Sequence, residues 1–182
     1  MKNIIVLSLL FVATFFKAQF SVNVKAPSDF NASEAYLYKL NGSKDLIIDK
    51  AIKKNNAWEF NVKEKYEGMM KIFFPEANSS VSFVTENSNV SLSFTSKNGK
   101  VAKTDYLDDV NKIFYGLQDQ QKKKEQILPA LYQIQNFYKE NSEFGVALKN
   151  EVSNLNSDIV FDSEKHPFIS YYFKTYQNFL QE

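Results

Sequence analysis

The stretch Val81–Phe94 reads VSFVTENSNVSLSF and contains the pattern that decides the fold. Its second half, Val90–Phe94, alternates apolar and polar residues, which is the period of a strand with one buried face. Its first half, Val81–Thr85, is more continuously apolar and is typical of a strand in the centre of a sheet. Asn87–Asn89 lies between the halves, and asparagine tolerates the left-handed backbone of tight turns. The stretch therefore predicts two strands joined by a short turn.

The same strand pattern recurs from Phe20 to about Lys100. Alternating strands are predicted at Phe20–Val24, Tyr36–Leu40, Trp58–Val62 and Val90–Phe94, and more continuously apolar, central strands at Leu46–Lys53, Met69–Phe74 and Val81–Thr85. Short turns rich in asparagine and glycine separate them, as at Asn41–Ser43 and Asn98-Gly99. About seven short strands with such turns predict an antiparallel β-sandwich or a partly open barrel.

After Lys103 the apolar period changes to about 3.6 residues, which indicates helices. Four are predicted: one capped by Thr104, one over Ile127–Tyr138 with Pro129 at its start or at a kink, one capped by Ser142, and one starting near Pro167. Lys122–Lys124 falls between the first two and is interpreted as a solvated linker, with an anion or lipid-headgroup contact as the alternative. The predicted fold class is α+β, with strands first and helices second.

Residues 1–18 have the order of a secretory signal peptide. Lys2 precedes an apolar stretch, Ile4–Phe16, and Ala18 follows it as a small residue suited to cleavage. The stretch is shorter than the roughly 20 residues of a membrane-spanning helix. The predicted organisation is a signal peptide at 1–18, a β domain at 19–102 and a helical region at 103–182. We expect an exported protein without stable membrane insertion after cleavage, an uncleaved anchor being the alternative.

Composition limits the chemistry that this chain can perform. The 182 residues carry 22 basic and 21 acidic side chains, and every basic residue is a lysine. Arginine is the usual residue for bidentate recognition of phosphates and bases, so no nucleic-acid partner is expected. Cysteine is absent, which removes disulfides, thiol nucleophiles and thiolate metal sites from these residues.

The few residues that could support catalysis have simpler interpretations. His166, the only histidine, lies beside Pro167 and is predicted to be a solvated turn residue without an orienting partner. Asp108 and Asp109 are interpreted as charges that stabilise the positive end of a helix dipole, and no loop of alternating oxygen ligands follows them. We therefore predict no catalytic, cofactor-binding or metal-binding residue, and no enzyme activity in this chain.

The last predicted helix carries aromatic residues around much of its circumference. A helix that is apolar on most sides requires cover on most sides, either from the other helices or from a further domain after residue 182. Clustered aromatic residues also dominate the energetics of protein interfaces. A docking surface is therefore predicted on this helix at Phe168, Tyr171, Tyr172, Tyr176 and Phe179.

The segments Ala35–Phe74 and Val81–Phe94 resemble a known family, the N-terminal domain of unknown function that precedes thioredoxin-like domains in exported thiol-disulfide oxidoreductases of Bacteroidetes. The matching positions are Tyr36-Leu37, Asn41–Ser43, Asp49, Trp58–Phe60 and Glu86-Asn87. Asn55–Ala57 departs from the pattern, which usually has a glycine before the aromatic strand.

The resemblance implies a non-catalytic accessory or scaffold module in the periplasm or cell envelope of a Gram-negative bacterium. Its partner would be a thioredoxin-like domain, in cis at the C-terminal side or in another protein, and that domain would carry the redox cysteines. Two alternatives remain open. One is a stand-alone exported protein that binds a small ligand or glycan on a platform of Trp58 and neighbouring tyrosines, and the other is an envelope protein with a structural role.

Overall fold

A computed structural model describes residues 19–42, 44–157 and 161–179, with side chains up to residue 175. Across these residues eight strands precede three helices, so the α+β order with strands first is confirmed. The strands are β1 (Phe20–Lys25), β2 (Glu34–Asn41), β3 (Lys44–Ile52), β4 (Ala57–Val62), β5 (Glu67–Phe74), β6 (Ser79–Glu86), β7 (Val90–Lys97) and β8 (Lys100–Tyr106). The helices are α1 (Asp109–Gln135), α2 (Glu143–Asn156) and α3 (Pro167–Phe179).

The strands form two four-stranded sheets. Sheet 1 has the order β4-β1-β7-β8 and sheet 2 has the order β3-β2-β5-β6. All neighbouring strands are antiparallel except β1 and β7, which are parallel, so the prediction of a wholly antiparallel fold is wrong at this pair. The reason is that β6 and β7 do not form a hairpin. The turn at Asn87–Asn89 carries the chain from one sheet to the other, and β7 then pairs with a strand that it does not follow in sequence.

Both sheets contribute side chains to one core. Alternate residues of β1 and β4, among them Val22, Val24 and Phe60, are fully buried together with Leu37 and Ile72 of sheet 2. This alternation is what places one face of each strand against the core and leaves the other in solvent. The predicted period of two therefore corresponds to the observed burial.

An aromatic group occupies the middle of this core. Phe30, from the connection between β1 and β2, has ring-centroid distances of 4.8 Å to Phe94 and 5.2 Å to Phe74. Trp58 lies 4.9 Å from Phe74 and is fully buried. The interpretation of Trp58 as a core residue is confirmed, and a surface platform built on its ring is excluded because the ring is closed to solvent.

The connection between β3 and β4 explains the missing glycine at Asn55–Ala57. Asn55 and Asn56 have φ angles of 50° and 57°, and the flanking residues Lys54 and Ala57 exchange two backbone hydrogen bonds of 2.8 and 2.9 Å. Two left-handed residues in succession are the requirement of the commonest two-residue hairpin turn. Asparagine meets that requirement here in place of glycine.

Strand and helix predictions need four corrections. Thr104 does not cap a helix, because Lys100–Tyr106 continues as an eighth strand paired with β7. The first two predicted helices are one helix, α1, which contains both Pro129 and Lys122–Lys124, so the lysines are not a linker. Three helices are therefore present in the described residues instead of four. The strands β3 and β6 are outer strands, not central ones.

Other boundaries agree with the prediction. The seven predicted strands correspond to β1–β7. Ser142 caps α2 by accepting a hydrogen bond from the Gly145 N–H at 3.1 Å, and α3 begins at Pro167. The predicted signal peptide, residues 1–18, lies outside the described residues.

Replacing Phe30 with alanine should lower the free energy of unfolding by about 3–5 kcal/mol, because it removes a ring from a packed aromatic group and leaves a cavity. The matched control is Phe137→Ala, since the Phe137 ring is 84% exposed. Urea denaturation followed by far-UV circular dichroism measures both. Similar small losses in the two variants would contradict the placement of Phe30 in the core.

Candidate functional site

The helices α1 and α3 are attached to the sheets along the outward edge of β6, the edge that no other strand of sheet 2 pairs with. An outer strand carries backbone N–H and C=O groups that its own sheet leaves unpaired. Asn111, in the first turn of α1, is fully buried and pairs with both groups of Val84. Its Oδ1 accepts from the Val84 N–H at 2.7 Å, and its Nδ2 donates to the Val84 carbonyl at 2.9 Å. One side-chain amide thus takes the place of a neighbouring strand.

Asp108 positions this amide. Its Oδ1 accepts from the Asn111 backbone N–H at 2.9 Å and from Asn111 Nδ2 at 2.8 Å, and its Oδ2 accepts from the Ser91 N–H at 3.3 Å. The carboxylate therefore caps α1 and also ties the cap to β7. The predicted role of Asp108 at the positive end of a helix is confirmed.

Two tyrosines complete the closure of the edge. The Ser82 carbonyl accepts hydrogen bonds from the hydroxyls of Tyr106 at 2.6 Å and Tyr115 at 2.7 Å. The two rings are stacked, with centroids 4.2 Å apart. Burial raises the pKa of both phenols above its ordinary value, so both remain protonated donors at neutral pH. They connect β8 and α1 to the same backbone atom.

The end of β6 holds α3 through a buried carboxylate. Glu86 Oε1 accepts from the backbone N–H groups of Phe168 at 2.8 Å and Ile169 at 3.2 Å. Pro167, the first residue of α3, has no N–H, so Glu86 pairs with the next two free donors of the first turn. Its negative charge also lies at the positive end of the helix dipole.

His166 is the second partner of this carboxylate, since its Nδ1 lies 2.8 Å from Glu86 Oε2. The His166 and Glu86 side chains are only 7% and 6% exposed. The prediction that His166 is a solvated turn residue is therefore wrong. The physical reason is that the turn before α3 folds onto the end of β6, which lies 80 residues earlier in the chain.

A second apolar cluster lies beneath α3. It is centred on Phe114 of α1, which is fully buried together with Val84 and Ile169. The Phe114 ring is 5.0 Å from that of Tyr172 and 5.6 Å from that of Phe173. One face of α3 therefore packs against α1.

The predicted docking residues are divided between this internal contact and the surface. Phe168 and Tyr172 are half-buried and pack against the Phe114 cluster. Tyr171 is 69% exposed and faces solvent. Tyr176 and Phe179 lie in the last part of α3, and their side chains are outside the described part of the chain.

A groove of about 550 Å³ lies beside the packed face of α3. Aromatic rings of both helices contribute to it, together with polar side chains of α1. The lining residues are Tyr115, Tyr172 and Phe173 among the aromatics and Gln118, Asp119, Gln121, Lys122 and Glu125 among the polar residues. A mixed aromatic and polar lining of this size is suited to the side chains of a protein partner.

Sequence reasoning missed a second aromatic surface on the helices. The later half of α1, the connection to α2 and the start of α2 expose aromatic and aliphatic side chains. They are Tyr132, Phe137, Tyr138 and Phe144, along with Ile127, Ile134 and Val146. The stripe Ile127–Tyr138 was predicted only as a helix. In the structure the first turns of α1 pack on β6, whereas this stripe extends past the sheets and packs only in part against α2. We name the four aromatic residues and Tyr171 of α3 the exposed aromatic set.

Comparisons with known proteins add no assignment. No protein-family model matches the chain, and no curated protein and no solved structure matches it significantly. Within the described ranges no helix is long and apolar enough to cross a bilayer, and His, Asp and Glu side chains nowhere gather in a group of three that could hold a metal ion.

Replacing Asn111 with alanine should lower the free energy of unfolding by about 2–4 kcal/mol, because it leaves the N–H and C=O of Val84 buried and unpaired. Asn150→Ala, on the exposed side of α2, is the matched control. Chemical denaturation measures the difference between the two variants. An equal, small loss in both would show that Asn111 does not hold α1 on the sheet edge.

Glu86→Gln should weaken the attachment of α3, since a neutral amide is a poorer acceptor for the first-turn N–H groups and for the His166 ring. Hydrogen exchange at the Phe168 and Ile169 amides should become about tenfold faster or more, in line with the loss of a hydrogen bond to a charged group. The control is Glu64→Gln, which removes only the exposed ion pair with Lys39. Unchanged protection of these two amides would contradict the assigned role of Glu86.

Proposed function

We propose that this chain is an exported, non-catalytic accessory module that presents its helices to a protein partner. The observation that carries this proposal is the exposed aromatic set, because exposed aromatic side chains in such number in one helical region are typical of an interaction surface. Isolated apolar residues on a surface need no explanation. Four members of this set, however, lie at the junction of α1 and α2, where the rings of Tyr138 and Phe144 are 4.5 Å apart.

The way in which the helices are attached supports the same function. A docking surface has to be rigid, since ordering it on binding would cost affinity. Asn111 and Tyr115 of α1 bind the backbone of β6, and Glu86 of β6 binds the first-turn N–H groups of α3. The start of α1 and the start of α3, close to Tyr171, are thereby held in a defined position relative to the sheets.

The two sheets supply the base of this module. Their inward faces share a single core, and Trp58 of sheet 1 contacts Phe74 of sheet 2. We infer a β-sandwich from this shared core and from the alternation of buried residues along the strands.

The nature of the partner rests on the resemblance of Ala35–Phe74 and Val81–Phe94 to domains that precede thioredoxin-like domains. We propose that the partner is such a domain, in the same polypeptide or in another protein of the periplasm or cell envelope. The cysteines of the redox reaction would belong to that domain, since this chain contains none. The module would then position the redox domain and take no part in electron transfer.

A photo-crosslinking amino acid at Tyr171 tests this proposal in the native host. The expected result is a crosslink to a protein or domain that contains a Cys-x-x-Cys motif, identified by mass spectrometry. The native product is measured by intact mass at the same time, because a mass well above 21.0 kDa would place the partner in cis. The same crosslinker at Ser93, on the outer face of sheet 1, is the control. Crosslinks to no thioredoxin-like partner, or equal yields from the two positions, would contradict the proposal.

A further inference from the structure

The outer face of sheet 2 carries aromatic rings that the helices leave uncovered. Tyr36 and Tyr38 of β2 lie two residues apart and so point to the same side of the sheet, away from the side on which Leu37 is buried. Strand register places Phe73 of β5 opposite Tyr36 and Ile47 of β3 opposite Tyr38. We name these four residues, Tyr36, Tyr38, Ile47 and Phe73, the tyrosine face.

The tyrosine face belongs to neither apolar core of the described residues. On the same side of sheet 2, Met69 and Val84 pack beneath the helices. Farther from β6 this cover is missing, since the three rings of the face are only half-buried and Ile47 is 59% exposed. A sheet with one solvated side normally alternates apolar and polar residues, whereas β2 and β5 carry apolar residues on both sides. This composition is typical of a sheet that is covered on both sides, and it indicates a binding surface.

Each tyrosine of the face has a lysine beside its ring, and each lysine is paired with a carboxylate. The two ion pairs are Lys50 with Glu34 and Lys71 with Asp45. The Nζ atoms of the two lysines lie 5.3 and 5.1 Å from the ring centroids of Tyr36 and Tyr38, respectively. Two positive and two negative charges therefore border the face and cancel, so the face favours a ligand without net charge. The charged groups still donate and accept hydrogen bonds along the border of the rings.

The area and the backbone pairing of the face limit what can occupy it. From the spacing of strands and of side chains along them, the face and its ion pairs cover about 15 Å by 20 Å, or roughly 300 Å². A stable dimer or domain interface buries about 800 Å² on each side, so this area is too small to hold a folded partner. The central strands β2 and β5 each pair with a neighbour on both sides, so an extended peptide cannot add to them as a further strand. The ligand is therefore a small molecule that side chains recognise.

A neutral saccharide has the matching chemistry. A sugar ring presents an apolar C–H surface, which packs on aromatic rings, and hydroxyls at its edge, which both donate and accept hydrogen bonds. Carboxylates accept from such hydroxyls, and lysine ammonium groups donate to them. An acyl chain would contact the rings equally well but would shield the charged groups from water without replacing their hydrogen bonds. We propose that the tyrosine face binds a neutral oligosaccharide.

This site is separate from Trp58 and from the docking helices. Trp58 is fully buried in the core, on the opposite side of sheet 2 from the tyrosine face. None of the residues of the face or of its ion pairs belongs to a helix. Saccharide binding therefore goes beyond the proposed docking function, and a failure of either proposal leaves the other standing.

Titration of the whole protein with maltohexaose, cellohexaose, xylohexaose and mannohexaose, followed by amide chemical shifts, tests the proposal. We expect saturable shifts centred on Tyr36, Tyr38 and Phe73 with at least one of these saccharides. Added salt should leave the affinity unchanged, because the face carries no net charge. Hexagalacturonate and phosphatidylcholine vesicles are titrated in parallel. The proposal is overturned if no neutral hexasaccharide binds saturably, if hexagalacturonate binds as tightly, if vesicles perturb the same amides, or if dilution alone shifts them and so reveals a second copy of the chain.

A pair of substitutions separates this site from general adhesion to exposed rings. Tyr38→Leu keeps an apolar side chain on the sheet but removes the ring, so the affinity for the bound hexasaccharide should fall about tenfold, the size of a good aromatic contact. Tyr171→Leu removes a ring that is 69% exposed on α3, and it should leave the affinity unchanged. Thermal unfolding of each variant checks that the fold is intact. Equal saccharide affinities of the two variants would refute the site.

Discussion

The outward edge of β6 is the constraint on which the arrangement of the helices depends. Backbone groups at such an edge are costly to bury without partners, and they are also a template for unwanted pairing with another strand. Here side chains provide the partners. Asn111 pairs with both backbone groups of Val84, and two tyrosine hydroxyls bind the Ser82 carbonyl. The hydrogen bonds that pair the backbone groups of this edge are therefore the same ones that hold α1 in place.

The carboxylate of Glu86 extends this principle to α3. Its two oxygens have different partners. Oε1 accepts hydrogen bonds from the first-turn N–H groups of α3, and Oε2 lies beside the ring of His166. These hydrogen bonds are directional and fix the position of each helix end, whereas the apolar cluster around Phe114 supplies the burial that stabilises the pair. The later part of α1 and the connection to α2 have no such attachment to the sheets, and Tyr132, Phe137 and Tyr138 are exposed there. Attachment at one end and exposure at the other are the physical basis of the proposed docking role.

Much of the β unit was predictable, because β1–β7 are either alternating or continuously apolar in sequence and are separated by turns rich in asparagine and glycine. The strand β8 was missed, since it contains two exposed lysines and only Val101, Thr104 and Tyr106 are half-buried. Its alternation is too weak to separate from the helical pattern that follows. The helix α3 was predicted from its aromatic content, but the sequence could not show that Tyr172 packs on Phe114 while Tyr171 faces solvent. That division depends on which side of α3 meets α1.

The sequence by itself determined that strands precede helices, the strands β1–β7, the cap at Ser142, the charge of Asp108 at the start of a helix and the absence of thiol chemistry. These properties follow from local patterns and from composition, which need no knowledge of distant contacts. The tertiary structure alone decided which strands lie at the edges, that β1 and β7 run parallel, and that His166 is buried against Glu86. Each of these depends on pairing between segments far apart in the chain, and the period of a single segment carries no information about its partner.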